Sequence, residues 1–241
     1  MDNSIYVTLS RQMAMFRDLE VTANNIANVN TAGFQSEKLI FDDYLVDGGK
    51  TERNLAFAND PMSYRDTRGG RVQKTGNTFD LAIAGSGYFS VETPLGIRYT
   101  KAGNFQLNND GELVTLNGYR VLGDDGAGIQ IPRDAKNIMI NGAGQLIDGA
   151  NAIGQVGVFE FTNEQALERV GDTMFKTNEA SLGPGTSKVM QGFIEQSNVS
   201  GVGEMVRLLQ VQRSTGSTAK FIEVMYDLQR KTSETYTRPQ A

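Results

Sequence analysis

Apolar side chains recur near the start of the chain at Ile5, Leu9, Phe16, Leu19, Ala23 and Ile26, at alternating intervals of four and three residues, with Gln12 in the missing slot. A spacing averaging about 3.5 places them on one narrow stripe of a helix. Asp2, Asn3 or Ser4 can cap its start, and Gly33 suits a position just past its end. Such a helix would run for roughly 40 Å at about 1.5 Å per residue. Thr8, Ser10, Arg11, Arg17, Asp18, Glu20 and Thr22 occupy its other faces, so it is not buried all round.

The opposite end of the chain carries a second stripe. Met205, Leu208, Gln212, Thr215, Ala219, Ile222 and Tyr226 again step by three and four, and Leu209 and Met225 widen the band. Ser200 suits the helix start and Pro239 marks its end. The two stripes predict a helical pair made by the two ends of the chain; the alternative is two unrelated surface helices on one core. Gly216 in the interior of the second helix costs about 1 kcal/mol relative to Ala. It puts the straightness of that helix in doubt, with a close helix approach as the functional explanation.

Between the helices the period changes. Residues Gln35 to Gly70 mix basic, acidic and aromatic character without a clear repeat and read as an irregular connector with room for one hairpin. From Val72 onward, short runs alternate with turn chemistry about every ten residues, which describes an antiparallel β domain. Asn117-Gly118 is a strong two-residue hairpin signal. A short helix is expected over Asn163 to Arg169, capped by Thr162 or Asn163. The predicted architecture is α+β, an antiparallel all-β middle domain inserted between long N- and C-terminal helices that pair as a coiled-coil-like assembly domain. Its divisions are an N-terminal helix over 1–34, a connector over 35–71, the β domain over 72–194 and a C-terminal helix over 195–241.

Asn24, Asn25, Asn28 and Asn30 crowd the end of the first helix, although asparagine competes for backbone groups and is a poor interior helix residue. On a helix–helix contact it can fix register at a cost in stability. The run Ala23-Asn24-Asn25-Ile26-Ala27-Asn28-Val29-Asn30-Thr31-Ala32-Gly33-Phe34 resembles the N-terminal signature of the bacterial flagellar rod and hook proteins. Two runs in the middle are also similar to that family: Thr75-Gly76-Asn77 with Asp80 to Val91, and Tyr99-Thr100-Lys101-Ala102-Gly103-Asn104-Phe105, where Lys101 stands in place of the more usual Arg. Gln191-Gly192, Glu195 to Val199 and Glu204-Met205-Val206 resemble its entry to the terminal helix. The resemblance covers nearly the whole chain.

Composition narrows the chemistry. The sequence of 241 residues has no Cys, no His and no Trp, which excludes disulfides and any thiolate or imidazole metal site. Net charge is −5, with both signs interspersed and no basic footprint for nucleic acid. No apolar run is long enough for a bilayer, and the N-terminus lacks the pattern of a cleavable signal peptide. Gly85-Ser86-Gly87 precedes a strand, so it reads as a hairpin turn and not a dinucleotide fingerprint. Gly183 to Lys188 lacks the strand–loop–helix context of a phosphate loop. Asp42-Asp43 and Asp124-Asp125 are adjacent acids of the kind that turns leave solvated. No triad or thiolate nucleophile can be assembled; a carboxylate-only glycosidase and a β-domain binding module are the competing classes.

The resemblance implies a structural subunit, no enzyme, with no catalytic residues, cofactor or metal. Its partners would be copies of itself, other rod proteins and the flagellar type III export apparatus, with no nucleic acid and no direct membrane span. Its place would be the periplasm-spanning rod of the basal body, reached without a cleaved signal peptide. The expected assembly interface comprises Ile5, Leu9, Phe16, Leu19, Ala23, Asn24, Asn25, Ile26, Asn28, Asn30, Thr31, Gly33 and Phe34 on the N-terminal side. On the C-terminal side it comprises Met205, Leu208, Leu209, Gln212, Ala219, Ile222 and Met225.

Overall fold

A computed structural model describes residues 2–40, 43–46, 55–58, 62–135, 137–171, 173–179, 182 and 187–237; the side chains of 2–7, 43–46, 55–58, 229 and 233–237 fall outside it. The chain divides into two compact units, one of Met1–Ala27, Glu37–Tyr64 and Ser200–Ala241, the other of Asn28–Ser36 and Arg65–Val199.

The first unit holds both helices, α1 over Asp2–Ala27 and α2 over Gly201–Thr237. Ser200 starts α2 by accepting from the Gly203 and Glu204 amides with its hydroxyl and carbonyl oxygens. The caps expected at Asp2, Asn3 and Ser4 lie outside the described side chains. The helices run antiparallel, held by an Arg207–Asp18 ion pair at 2.8 Å and by Thr218 Oγ1, 3.8 Å from the Met15 sulfur. Among their described side chains, Ala14, Thr22, Asn25 and Val211 are buried.

The predicted coiled-coil-like pairing is overturned. Among the described residues most of the secondary structure is β, with one α-helix towards each end of the sequence, and the expected seam residues do not interlock. Leu9 and Phe16 are each 48% exposed, Met205 56% and Leu209 55%. The physical reason is that a period of 3.5 says which face of a helix is apolar without saying what covers it. Gly216 also departs from expectation: a Cβ there would meet nothing within 4 Å, so no close helix approach explains it. In that stretch Thr215, Ser217 and Thr218 donate their hydroxyls to the carbonyls of Val211, Arg213 and Ser214, four residues earlier, at 2.9–3.0 Å. The helix continues through them.

Strands occupy the expected irregular connector. Glu37–Ile40 pairs with Met62–Arg65, and Asp43–Val46 forms an antiparallel ladder with Leu55–Ala58. The second unit is an antiparallel β structure. Its main sheet runs, in spatial order, through Glu168–Gly171, Met174–Lys176, Gly96–Thr100, Tyr88–Thr93, Arg120–Val121, Leu113–Thr115 and Phe105–Leu107, with Val158–Phe159 also on Tyr88–Thr93. Ile138–Ile140, Gln145–Asp148 and Asn151–Gln155 make a smaller meander. The core gathers Leu81, Ile83, Phe89, Val91, Leu113, Val121, Leu146 and Val189. A second, aromatic cluster joins Tyr88, Phe161, Leu167 and Phe175, with edge-to-face ring contacts at 5.8–6.0 Å around Tyr88.

Three local expectations change in detail. The Asn117-Gly118 turn spans three residues, because the Thr115 amide donates to the Tyr119 carbonyl; Gly118 takes the left-handed position at φ +83°. Gly85–Gly87 is no hairpin: Leu81–Ala84 on one side pairs with Lys188–Gln191, and Tyr88–Thr93 on the other pairs with Gly96–Thr100. The helix expected over Asn163 to Arg169 is a single 3-10 turn, Glu164–Ala166, capped by Asn163. Asp42 and residues 183–186 lie outside the described residues.

Candidate assembly interface

The signature run turns out to serve several purposes. Asn24 and Ala23 are exposed, Ile26 half-buried and Asn25 1% exposed. Asn25 uses both ends of its amide on one backbone residue: Nδ2 donates to the Glu37 carbonyl at 2.8 Å, and Oδ1 accepts from the Glu37 amide at 3.0 Å. The side chain thus stands in for a neighbouring strand and fixes the start of Glu37–Ile40 beside α1. A buried amide satisfied this way is costly to replace.

After Ala27 the chain turns. Thr31 donates its amide to the Asn28 carbonyl and its hydroxyl to Asn28 Oδ1, both at 3.1 Å; Asn30 is exposed. Gly33 lies well beyond the end of α1, so it is not the helix cap expected. Its φ is +66°, and a Cβ there would sit 2.3 Å from the Ala102 amide nitrogen. Its own N–H donates to the Glu195 carbonyl at 2.8 Å. Phe34, 4% exposed, lies under the Arg169 guanidinium at 4.3 Å from its ring centre.

These contacts bring together, in the second unit, runs that are far apart in sequence. Asn198 accepts from the Ser36 amide at 2.7 Å and donates to the carbonyls of Asp66 and Arg68 at 2.8 and 2.9 Å. Buried Gln35 donates to the Tyr88 hydroxyl at 3.3 Å, and that hydroxyl donates to Glu164 Oε2 at 2.8 Å. Burial pushes the Tyr88 phenol well above its ordinary value; Arg65 opposes the shift and the Glu164 carboxylate adds to it. Arg65 stacks on Phe175 at 4.1 Å and donates to the carbonyls of Leu167 and Glu164. Glu195, 4% exposed, accepts from the Gly70 amide at 2.9 Å; burial raises its carboxyl, against Lys101 and that amide, which lower it. Lys101, equally buried, donates to the Gly85 carbonyl at 3.2 Å and lies over the Tyr88 ring.

The pattern-based reading missed Asn198, Glu195, Arg65, Gln35 and Arg169 as functional positions. The first two sit in the Glu195–Val199 run, whose family resemblance was the available signal; the others carry no periodic signal.

The remaining expected residues lie on the helices. Leu9 and Phe16 are exposed and Leu19 is half-buried on α1; Met205, Leu209, Gln212 and Ala219 are exposed and Leu208, Ile222 and Met225 half-buried on α2. Ile5 lies outside the described side chains. Val202, Val206, Phe221, Val224 and Leu228 add further exposed apolar surface to α2. Exposed apolar side chains thus recur along both helices among the described residues. Among the described residues no three His, Cys, Asp or Glu gather to hold a metal, and no helix is long and apolar enough to cross a membrane.

Three family models match along the chain: "Flagella basal body rod protein" over residues 5–35, "Flagellar hook protein FlgE/F/G D1 domain" over 82–147 and "Flagellar basal body rod FlgEFG protein C-terminal" over 190–235. The flagellar basal-body rod protein FlgF of Mesorhizobium japonicum is 36% identical over 223 residues, covering 91% of each chain. FlgF of Caulobacter vibrioides is 36% identical over 239 residues, covering 97% of this chain and 98% of the relative. FlgG of Bacillus subtilis is 34% identical over 246 residues, covering 91% and 93%. With its N-terminal signature, its β domain and its C-terminal helix each matched, the chain belongs to the flagellar basal-body rod protein family.

Proposed function

We propose that this chain is a structural subunit of the bacterial flagellar basal-body rod, FlgF-like, placed in the proximal part of the shaft, and that it polymerises through its helical unit to carry torque. The carrying observation is the apolar surface left open on α1 and α2, from Leu9 and Phe16 to Met205, Leu209 and Leu228. Neighbouring subunits supply the cover, and a head-to-tail contact that does not close on itself extends into a filament. Torque passes through many such contacts, and no subunit performs chemistry. Delivery through the flagellar type III export apparatus goes with membership of the rod.

Leu9→Asp places a charge on that surface without touching the β core. It should abolish incorporation into isolated basal bodies while leaving the tyrosine signature of the β unit unchanged; normal rods built from the variant would refute the proposal. The FlgG-named relative at 34% identity supports a second reading, a distal-rod subunit. Complementation separates the two: motility should return to a strain lacking its FlgF-named rod protein and not to one lacking its FlgG-named protein.

A further inference from the structure

The two helices of the first unit leave an open groove of about 510 Å³ between Arg11 on α1 and Arg213, Ser214, Ser217 and Phe221 on α2. Arg11 and Arg213 are exposed cations on its walls, with no side-chain hydrogen bond or ion pair among the described residues, whereas Arg207 nearby is paired to Asp18. The groove therefore offers two uncommitted guanidiniums, the hydroxyl-bearing side chains of Thr8, Ser214, Ser217 and Thr218, and one half-exposed aromatic ring. Guanidinium pairs of this kind recognise carboxylates.

The complement lies further along the same helix. Glu223 and Asp227 are exposed, four residues apart on one face of α2, and likewise carry no ion pair among the described residues. Val224 and Leu228 flank them and are about half exposed. Arg213 and Glu223 are separated by roughly 15 Å along the axis, at about 1.5 Å per residue. A second copy shifted along the axis by that distance would present its carboxylates to the arginines of the first. Because the donor and acceptor patches differ, the contact is head-to-tail and repeats without closing.

We infer that this groove binds the Glu223–Asp227 face of α2 from a second copy of the chain, with Arg11 and Arg213 setting the axial step between subunits. The inference rests on the polymerising subunit proposed above and adds to it the identity and register of one contact.

The test is self-association of the purified full chain by sedimentation velocity, at ionic strengths from about 50 mM to about 500 mM, across which exposed pairs are progressively screened. Wild type should associate and weaken with salt. Arg11→Glu combined with Arg213→Glu should weaken association about tenfold at low salt, in keeping with two exposed charge pairs turned from attractive to repulsive. Mixing it with the Glu223→Arg/Asp227→Arg variant should restore association. Unchanged helix content by circular dichroism confirms folding, and Arg11→Gln/Arg213→Gln should give an intermediate loss. Association that ignores both salt and the arginine variants would overturn this contact and leave polymerisation standing, whereas a wild type that never associates would overturn both. Loss by the arginine variant without rescue would assign the groove to another segment or another rod protein and overturn the second-copy assignment.

Discussion

Asn198→Ala removes three hydrogen bonds at a single stroke: the acceptor for the Ser36 amide at 2.7 Å and the donors to the carbonyls of Asp66 and Arg68 at 2.8 and 2.9 Å. Each such bond contributes about 0.5–1.5 kcal/mol net. Asn198 is only half-buried, so water replaces part of what is lost, and the sum falls toward about 2 kcal/mol. With a urea slope of about 2 kcal/mol/M for a domain of this size, the unfolding midpoint of the β unit should drop by about 1 M. Near-ultraviolet circular dichroism reports it through buried Tyr88 and half-buried Tyr99 and Tyr119. Hydrogen exchange gives a local readout, since the Ser36 amide should lose protection by more than the neighbouring strands do. Asn198→Asp keeps the acceptor but replaces the donors with a carboxylate facing two carbonyl oxygens, and should be no more stable than the alanine variant. A midpoint shift equivalent to less than about 0.5 kcal/mol, or an aspartate variant as stable as wild type, would refute the idea that this side chain ties the early and late segments together.

Gly33→Ala adds a Cβ 2.3 Å from a backbone nitrogen in a left-handed conformation; thermal melting should show a loss above about 2 kcal/mol, more than the left-handed cost of about 1–2 kcal/mol alone. Asn25→Ala strips both bonds to Glu37 from a side chain 1% exposed and should cost about 2–3 kcal/mol, read as earlier helix melting and faster exchange of the Glu37 amide. Glu195 gives a pH dependence. Burial raises its carboxyl above the ordinary value of 4.5, so the folded chain holds the proton more tightly than the unfolded one. Its contribution to stability is complete below that ordinary value and is lost as pH rises through the higher folded value. Urea midpoints measured across that window should fall with rising pH less steeply for Glu195→Gln than for wild type.

Periodicity along the chain was enough to place a helix at each end and an antiparallel β region between, because helical and strand repeats differ in step and leave their mark on which residues are apolar. Turn chemistry placed a turn at Asn117-Gly118 and a cap at Asn163, although the turn spans three residues and the capped element is a single 3-10 turn. The family signature stood out as a contiguous run for the same reason. What α1 and α2 do with their apolar stripes was not legible, since a stripe specifies a face and not its cover; Leu9 and Met205 stay open where an internal seam was expected. Inside the connector, the antiparallel Asp43–Val46 and Leu55–Ala58 ladder fits the one hairpin the sequence left room for, whereas Glu37–Ile40 was hidden because it is fixed partly by Asn25, a side chain on a helix. Gly85–Gly87 looked like a hairpin only while the partners of its flanking strands, one of them more than a hundred residues away in Lys188–Gln191, were unknown. The Asn198, Glu195 and Arg169 contacts belong to the same class: each joins segments whose separation along the chain exceeds any local repeat, so only the folded backbone brings their donors and acceptors within hydrogen-bonding or stacking reach.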